Sequence, residues 1–220
     1  MSTPTDLFAV FSLPRKLRVD TRALERAFYA ESRKLHPDRF AAKPAEEQEN
    51  ALAASSQLND AYRTLRDPIQ RTEHLLELEG VELEEQSRKA TDAARAAGEA
   101  KKQIVPPDLL EEVFELNMQL EEMRMNRKMG EDDPQLAREL QSAKLRFEQR
   151  LADLQDELEG LWDAWDTAVD ANDEAARESA KLKLTALLNK RSYVRNLVRD
   201  VNECIEGAGT DATAPAGRRA

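Results

Sequence analysis

From Leu109 to Ile205 the apolar residues recur at steps of three and four, and this spacing constrains the chain more than any other feature. Such steps return a side chain to one side of an α-helix, whereas a half-buried strand needs steps of two. Three segments carry the pattern. Residues 107–128 align Leu109, Val113, Leu116, Leu120 and Met123 on one seam. Residues 134–169 align Leu136, Leu140, Phe147, Leu151, Leu154, Leu158, Leu161 and Trp165. Residues 174–206 align Leu184, Leu187, Val194, Val198, Val201 and Ile205. The turns are short: 129–134, and Ala171-Asn172-Asp173 with Asp173 as N-cap. Short connections make consecutive helices antiparallel neighbours, so residues 107–206 are expected to form a three-helix bundle. Charged residues make up 35% of the chain and aromatics 5%, which favours long helices over a mixed sheet.

The first of these helices carries one apolar stripe too many. At about 100° per residue, Leu110, Phe114, Met118 and Met125 fall roughly opposite the seam. Glu111, Glu115 and Glu122 flank them. A helix that buries one face has no use for a second apolar stripe. Two explanations fit the pattern. Either the core is broader, with a connector helix or a dimer mate over the stripe, or the stripe is an exposed docking face for a partner. Methionine suits an adaptable contact surface. Tyr193 lies off its own helix's seam and is placed to extend the patch.

The N-terminal 80 residues follow a different plan. Thr5 or Asp6 caps a short helix that ends before Ser12-Leu13-Pro14. Asp20 then caps an amphipathic helix with Leu24, Phe28 and Leu35 on one face. Arg22, Arg26 and Arg33 lie away from that face, with Lys34 at its margin. His36-Pro37-Asp38 stops the helix, because proline disfavours the helical region for His36 and has no N–H to donate. After Lys43-Pro44 a second long helix repeats Ala51, Ser55, Leu58, Tyr62 and Leu65. Two helices joined by a short turn make an antiparallel hairpin. Asp67-Pro68 restarts the chain as a short helix, closed by Gly80. The hairpin's turn presents an imidazole and a carboxylate in front of a basic helix, which is a device for display rather than a catalytic pocket. Residues 81–106 are rich in alanine and long charged side chains and poor in large apolar ones, and read as a partly helical connector. Residues 207–220 read as a disordered tail.

Several function classes are disfavoured. A formal net charge of −10 argues against nucleic-acid binding, so the basic helix suits an acidic protein surface. The single cysteine, Cys204, allows no internal disulfide and no four-thiolate cluster. The two histidines, His36 and His74, are far apart in sequence and show no metal-ligand spacing, so no metal or cofactor is expected. No stretch has the length and apolarity of a signal peptide or a membrane span, and a soluble cytoplasmic protein is expected. An enzyme built on His36, Asp38 and Cys204 would lack a glycine-rich phosphate loop and any nearby base–nucleophile pairing.

The N-terminal order closely resembles the J-domain of DnaJ-type co-chaperones: short helix, basic helix, His36-Pro37-Asp38, long helix ending in Asn59-Asp60-Ala61-Tyr62. With the following bundle, the chain resembles the iron–sulfur co-chaperone family HscB over residues 6–206. The segments that carry the resemblance are 7–14, 36–40, 58–68, Arg71-Thr72-Glu73-His74-Leu75-Leu76, Pro107-Asp108-Leu109-Leu110 and Glu115-Leu116-Asn117. The resemblance implies an all-α protein, a J-domain over 1–80 joined to a C-terminal antiparallel three-helix bundle over 107–206. It implies that the J-domain stimulates the ATPase of a DnaK-like chaperone of the HscA type. His36, Pro37, Asp38, Arg22, Arg26, Arg33, Lys34 and Arg39 would meet that chaperone. It implies that the bundle binds an IscU-type scaffold through Leu110, Phe114, Glu115, Met118, Glu122 and Tyr193. Glu111 stands where the family often has methionine, and the connector is longer than in the bacterial pattern. The alternative is a J-protein of a general DnaK system with another client, its bundle used for self-association.

Overall fold

The structure is a computed structural model that describes residues 5–81, 83 and 105–210. It is helical throughout, with no strand among the described residues. The contacts divide the chain into two units: residues 1–83 with 158–186, and residues 84–157 with 187–220. Residues 158–186 thus group with the N-terminal hairpin rather than with the rest of the expected 107–206 bundle.

In the first unit, α1 (Leu7–Val10) starts where Asp6 accepts hydrogen bonds from the amides of Phe8 and Ala9, which selects Asp6 over Thr5 as the cap. Helix α2 (Thr21–Lys34) starts on Asp20, which accepts from the amides of Arg22 and Ala23 at 2.9 and 3.0 Å. A 3-10 turn (Pro37–Arg39) follows, then α3 (Ala45–Arg66) and α4 (Pro68–Leu78). Asp67 caps α4 and Pro68 occupies its first turn, where a missing N–H costs nothing. Gly80, at φ 77°, adopts the left-handed conformation that ends the helix cheaply.

Helices α2 and α3 pair as the hairpin. Leu24, Ala51, Leu58, Ala61 and Leu65 are buried, and Phe28 stacks on Tyr62 with ring centroids 4.3 Å apart. Phe28 and Leu35 are only half-buried, because a two-helix layer covers one side of each helix. Arg71 of α4 is buried and donates from Nε to the carbonyl of Leu17 at 2.9 Å and from Nη1 to that of Leu65 at 2.5 Å. One guanidinium thus ties α4 to the α1–α2 loop and to the end of α3. Burial pushes its pKa down, and the charges of Asp166 and Asp67 counter this.

The second unit contains α5 (Leu110–Met129), which follows a 3-10 turn (Pro107–Leu109), together with the first part of α6 (Pro134–Asp170) and the last part of α7 (Glu174–Thr210). The expected seam of α5, Leu109 to Met123, is fully buried. Asp133 and Asp173 cap α6 and α7. On α6 the buried set follows the expected seam except that Leu151 and Leu161 are half-buried and Ala143, Trp162 and Ala168 are buried as well. Helix α7 runs on to Thr210, so residues 207–210 are helical rather than part of a tail. The rest of that expected tail, 211–220, and nearly all of the expected connector (82 and 84–104) lie outside the described residues. Among the described residues no helix is long and apolar enough to cross a membrane.

Candidate functional sites: a charged corner and an apolar helix face

The corner after α2 is built by its own backbone. Helix α2 closes when the Leu35 amide donates to the Glu31 carbonyl, and the Arg39 amide donates to the His36 carbonyl at 3.0 Å. The Asp38 amide donates to His36 Nδ1 at 3.3 Å, and the Asp38 carboxylate lies 3.4 Å from the same nitrogen. The Asp38 side chain is 90% exposed, so its carboxylate faces solvent apart from this neighbour on its own turn. His36 and Arg39 are exposed as well.

Behind the corner, Arg22, Arg26 and Arg33 are exposed along α2. Lys34 is tied to Glu31 at 2.7 Å on the same helix, a surface pair of little energetic weight. The capping hydrogen bond from Ala23, with help from Arg22 and Arg26, holds the Asp20 carboxyl below the usual carboxylate range. One residue of this surface escaped the sequence reading. Tyr29 is 57% exposed and, at ~100° per residue, lies within about 60° of the three arginines. Its angular position was the available signal.

The second surface is the outer face of α5. Leu110, Phe114, Met118 and Met125 are 56, 70, 61 and 49% exposed, while the seam on the opposite side is buried. The second stripe is therefore not core of its unit. Met129, 63% exposed, continues the stripe beyond the four residues picked out from spacing. Glu111, Glu115 and Glu122 are exposed along one edge. The helix is held from behind. Asp108 accepts from Lys190 of α7 at 2.6 Å, with Arg150 of α6 at 3.8 Å, and Arg127 donates to the Cys204 carbonyl. The hydrogen bond from Lys190, foremost, holds the Asp108 carboxyl below its usual range.

Tyr193 does not join this surface. It is 4% exposed and cannot extend an exposed patch. Its burial, with the nearby charge of Asp200, pushes its phenol pKa up. The single-face reading of α7 misplaced it: Tyr193, Val194, Asn196, Leu197 and Val198 are all buried, so α7 is covered on more than one side there.

The first unit also holds a polar clamp with no counterpart in the sequence reading. Asp166 of α6 accepts the amides of Leu17 and Arg18 at 2.7 and 2.8 Å. Arg18 grips Asp163 through Nε and Nη2 at 2.7 and 3.1 Å and lies over the Trp162 ring at 5.4 Å. Trp165 donates to the Arg15 carbonyl at 3.1 Å, and Lys16 pairs with Asp170 at 2.5 Å. The hydrogen bond from Arg18 holds Asp163 below the usual carboxylate range, and Asp163 in turn raises the Arg18 pKa. This clamp explains why residues 158–170 group with the N-terminal hairpin.

A basic helix, a His-Pro-Asp corner with its imidazole and carboxylate exposed, and an antiparallel return helix, followed by a helical bundle, define a J-domain protein. No family model matches the chain. Among curated proteins, the chain is 31% identical over 201 residues to the co-chaperone protein HscB homolog of Azoarcus sp. strain BH72, covering 91% of this chain and 94% of that one. It is 34% identical over 156 residues to the HscB homolog of Bordetella pertussis, covering 69% of this chain and 79% of that protein. A 41% identical match to the homolog of Aromatoleum aromaticum spans 62% of that relative's length. Chaperone HscB from Vibrio cholerae has the same fold at a TM-score of 0.57 and 22% identity, covering 93% of this chain and 99% of that one. Human co-chaperone protein HscB aligns at a TM-score of 0.50 and 22% identity, covering 96% of this chain and 85% of that one. The chain belongs to the HscB co-chaperone family.

Proposed function

We propose that this chain serves iron–sulfur cluster assembly by bringing a scaffold protein to a chaperone. The J-domain engages a DnaK-like ATPase of the HscA type through Asp38, His36 and the α2 arginines. The α5 face binds an IscU-type scaffold through Leu110, Phe114, Met118, Glu115 and Glu122. The single observation that carries the reading is the exposed, acid-edged apolar face of α5, which the helix's own packing does not require. Large exposed apolar faces mark interaction sites.

The mechanism is coupling rather than chemistry on this chain. A ligand shifts an equilibrium only through contacts that differ between its states. Asp38, held forward on a backbone-defined turn, makes such contacts with one state of the chaperone's ATPase machinery. The arginines of α2 steer encounter with an acidic surface. Holding the scaffold on the same chain raises its effective concentration at the chaperone.

The test is the chaperone's ATPase rate with this protein alone, with scaffold alone and with both. Stimulation by the protein and a further rise with scaffold are expected. Absence of stimulation would overturn the J-domain half, and absence of the further rise would overturn the scaffold half.

A further inference from the structure

We propose that the docking face of α5 runs the whole length of the helix to Met129, and that its unlike edges fix the direction in which the partner lies. The inference rests on the reading of this face as a docking surface and extends it to residues that reading does not use. Leu110, Phe114, Met118, Met125 and Met129 form one exposed line, about 28 Å long at 1.5 Å per residue. The line changes character along its length. Its first half carries the rigid anchors Leu110 and Phe114, and its second half is methionine, which repacks against a variable surface.

The edges differ in charge. At ~100° per residue, Glu111, Glu115 and Glu122 border one side of the line. Asn117, Glu121, Arg124 and Lys128 border the other, with both cations in the second half and the one carboxylate there paired with Arg124. Arg124 is shared with Glu121 at 3.3 Å, an exposed pair that a partner can displace at small cost. The matching occupant is a protein with an apolar ridge edged by lysine or arginine where it meets Glu111 and Glu115, and by a carboxylate where it meets Lys128. A second copy of this chain does not match. An antiparallel twofold pair lays acidic edge on acidic edge, and a parallel pair sets Glu111 and Glu115 against Asn117, with no cation for either.

The experiment is calorimetric titration of an IscU-type scaffold into the full-length protein and three variants: Met125→Ser with Met129→Ser, Lys128→Glu, and Phe114→Ala. Thermal melts verify that each variant folds, and Met125→Gln with Met129→Gln stands in if the serine pair does not. Loss of two exposed methionines that the partner covers is expected to weaken binding about tenfold, and Lys128→Glu to weaken it as well. If Phe114→Ala weakens binding while the methionine pair changes nothing, the face ends at Glu122. The extension is then wrong and the docking reading stands. If Phe114→Ala changes nothing, the docking reading itself fails. Unchanged or tighter binding by Lys128→Glu overturns the proposed direction. A dimer in sedimentation that the methionine variant abolishes would assign the face to a second copy instead.

Discussion

At the scale of single residues, Asp38 differs from the residues of the core in how little it touches. Asp38 is held by backbone geometry, and its carboxylate is left to solvent beside His36. Asp38→Asn keeps the shape and removes the charge. It is expected to leave the melting temperature unchanged within about 0.5 kcal/mol of stability and to abolish stimulation of the chaperone ATPase. Retained stimulation would remove Asp38 from the mechanism. Arg71 is the opposite case, since its guanidinium satisfies the carbonyls of Leu17 and Leu65 inside the first unit. Arg71→Leu leaves both acceptors unmatched and is expected to cost about 2–4 kcal/mol, read as a lower denaturant midpoint. Spacing alone could place Asp38 at a helix stop. It could not show that Arg71 is buried, because a buried arginine looks like a surface one until the carbonyls that surround it are known.

At the scale of elements, legibility followed the kind of contact. The α5 seam was readable because side-chain packing has a period, and all five of its residues are buried. The clamp between the α1–α2 loop and α6 was not, because its contacts are a carboxylate on two amides, an indole on a carbonyl and charge pairs. None of these has a period. The one trace in the sequence is Asp163, Asp166 and Asp170 on one side of α6, matched by Lys16 and Arg18. Arg18 of the same loop lies over the ring of the buried Trp162. Helix α5 permits a contrast between its two faces. Leu116→Ala on the seam is expected to cost about 2–5 kcal/mol, whereas Phe114→Ala is expected to change stability by no more than about 0.5 kcal/mol. Equal losses in a thermal melt would mean that Phe114 is core. The anchor of α5 gives a pH test. Asp108 has a folded pKa below its unfolded value near ~3.9. Its share of stability is therefore present at neutral pH and lost as pH falls from about 4 through the folded value. Asp108→Asn should lower stability at pH 7 slightly and flatten the fall below about pH 4, a small change given the solvent around the pair.

At the scale of the whole molecule, the proposal makes a demand that neither surface makes alone. The corner belongs to one unit and the α5 face to the other, and the chain joins them. If linkage is the mechanism, the benefit of scaffold binding reaches the chaperone only through a covalent connection, because the gain is one of effective concentration. Two variants separate the surfaces: Asp38→Asn, which keeps the α5 face, and Leu110→Ala with Phe114→Ala, which keeps the corner. The apolar double variant is expected to stimulate the chaperone to the wild-type level without scaffold and to lose the further rise with it. The Asp38 variant is expected to bind scaffold with wild-type affinity and to stimulate nothing. Mixing the two in equal amounts supplies both working surfaces on separate molecules. If the surfaces acted independently, the mixture would restore the scaffold-dependent rise. Under linkage it restores none, and excess Asp38 variant lowers the response of wild-type protein by occupying the scaffold. Rescue in the mixture would show that the chain need not bridge its partners, whatever each surface binds.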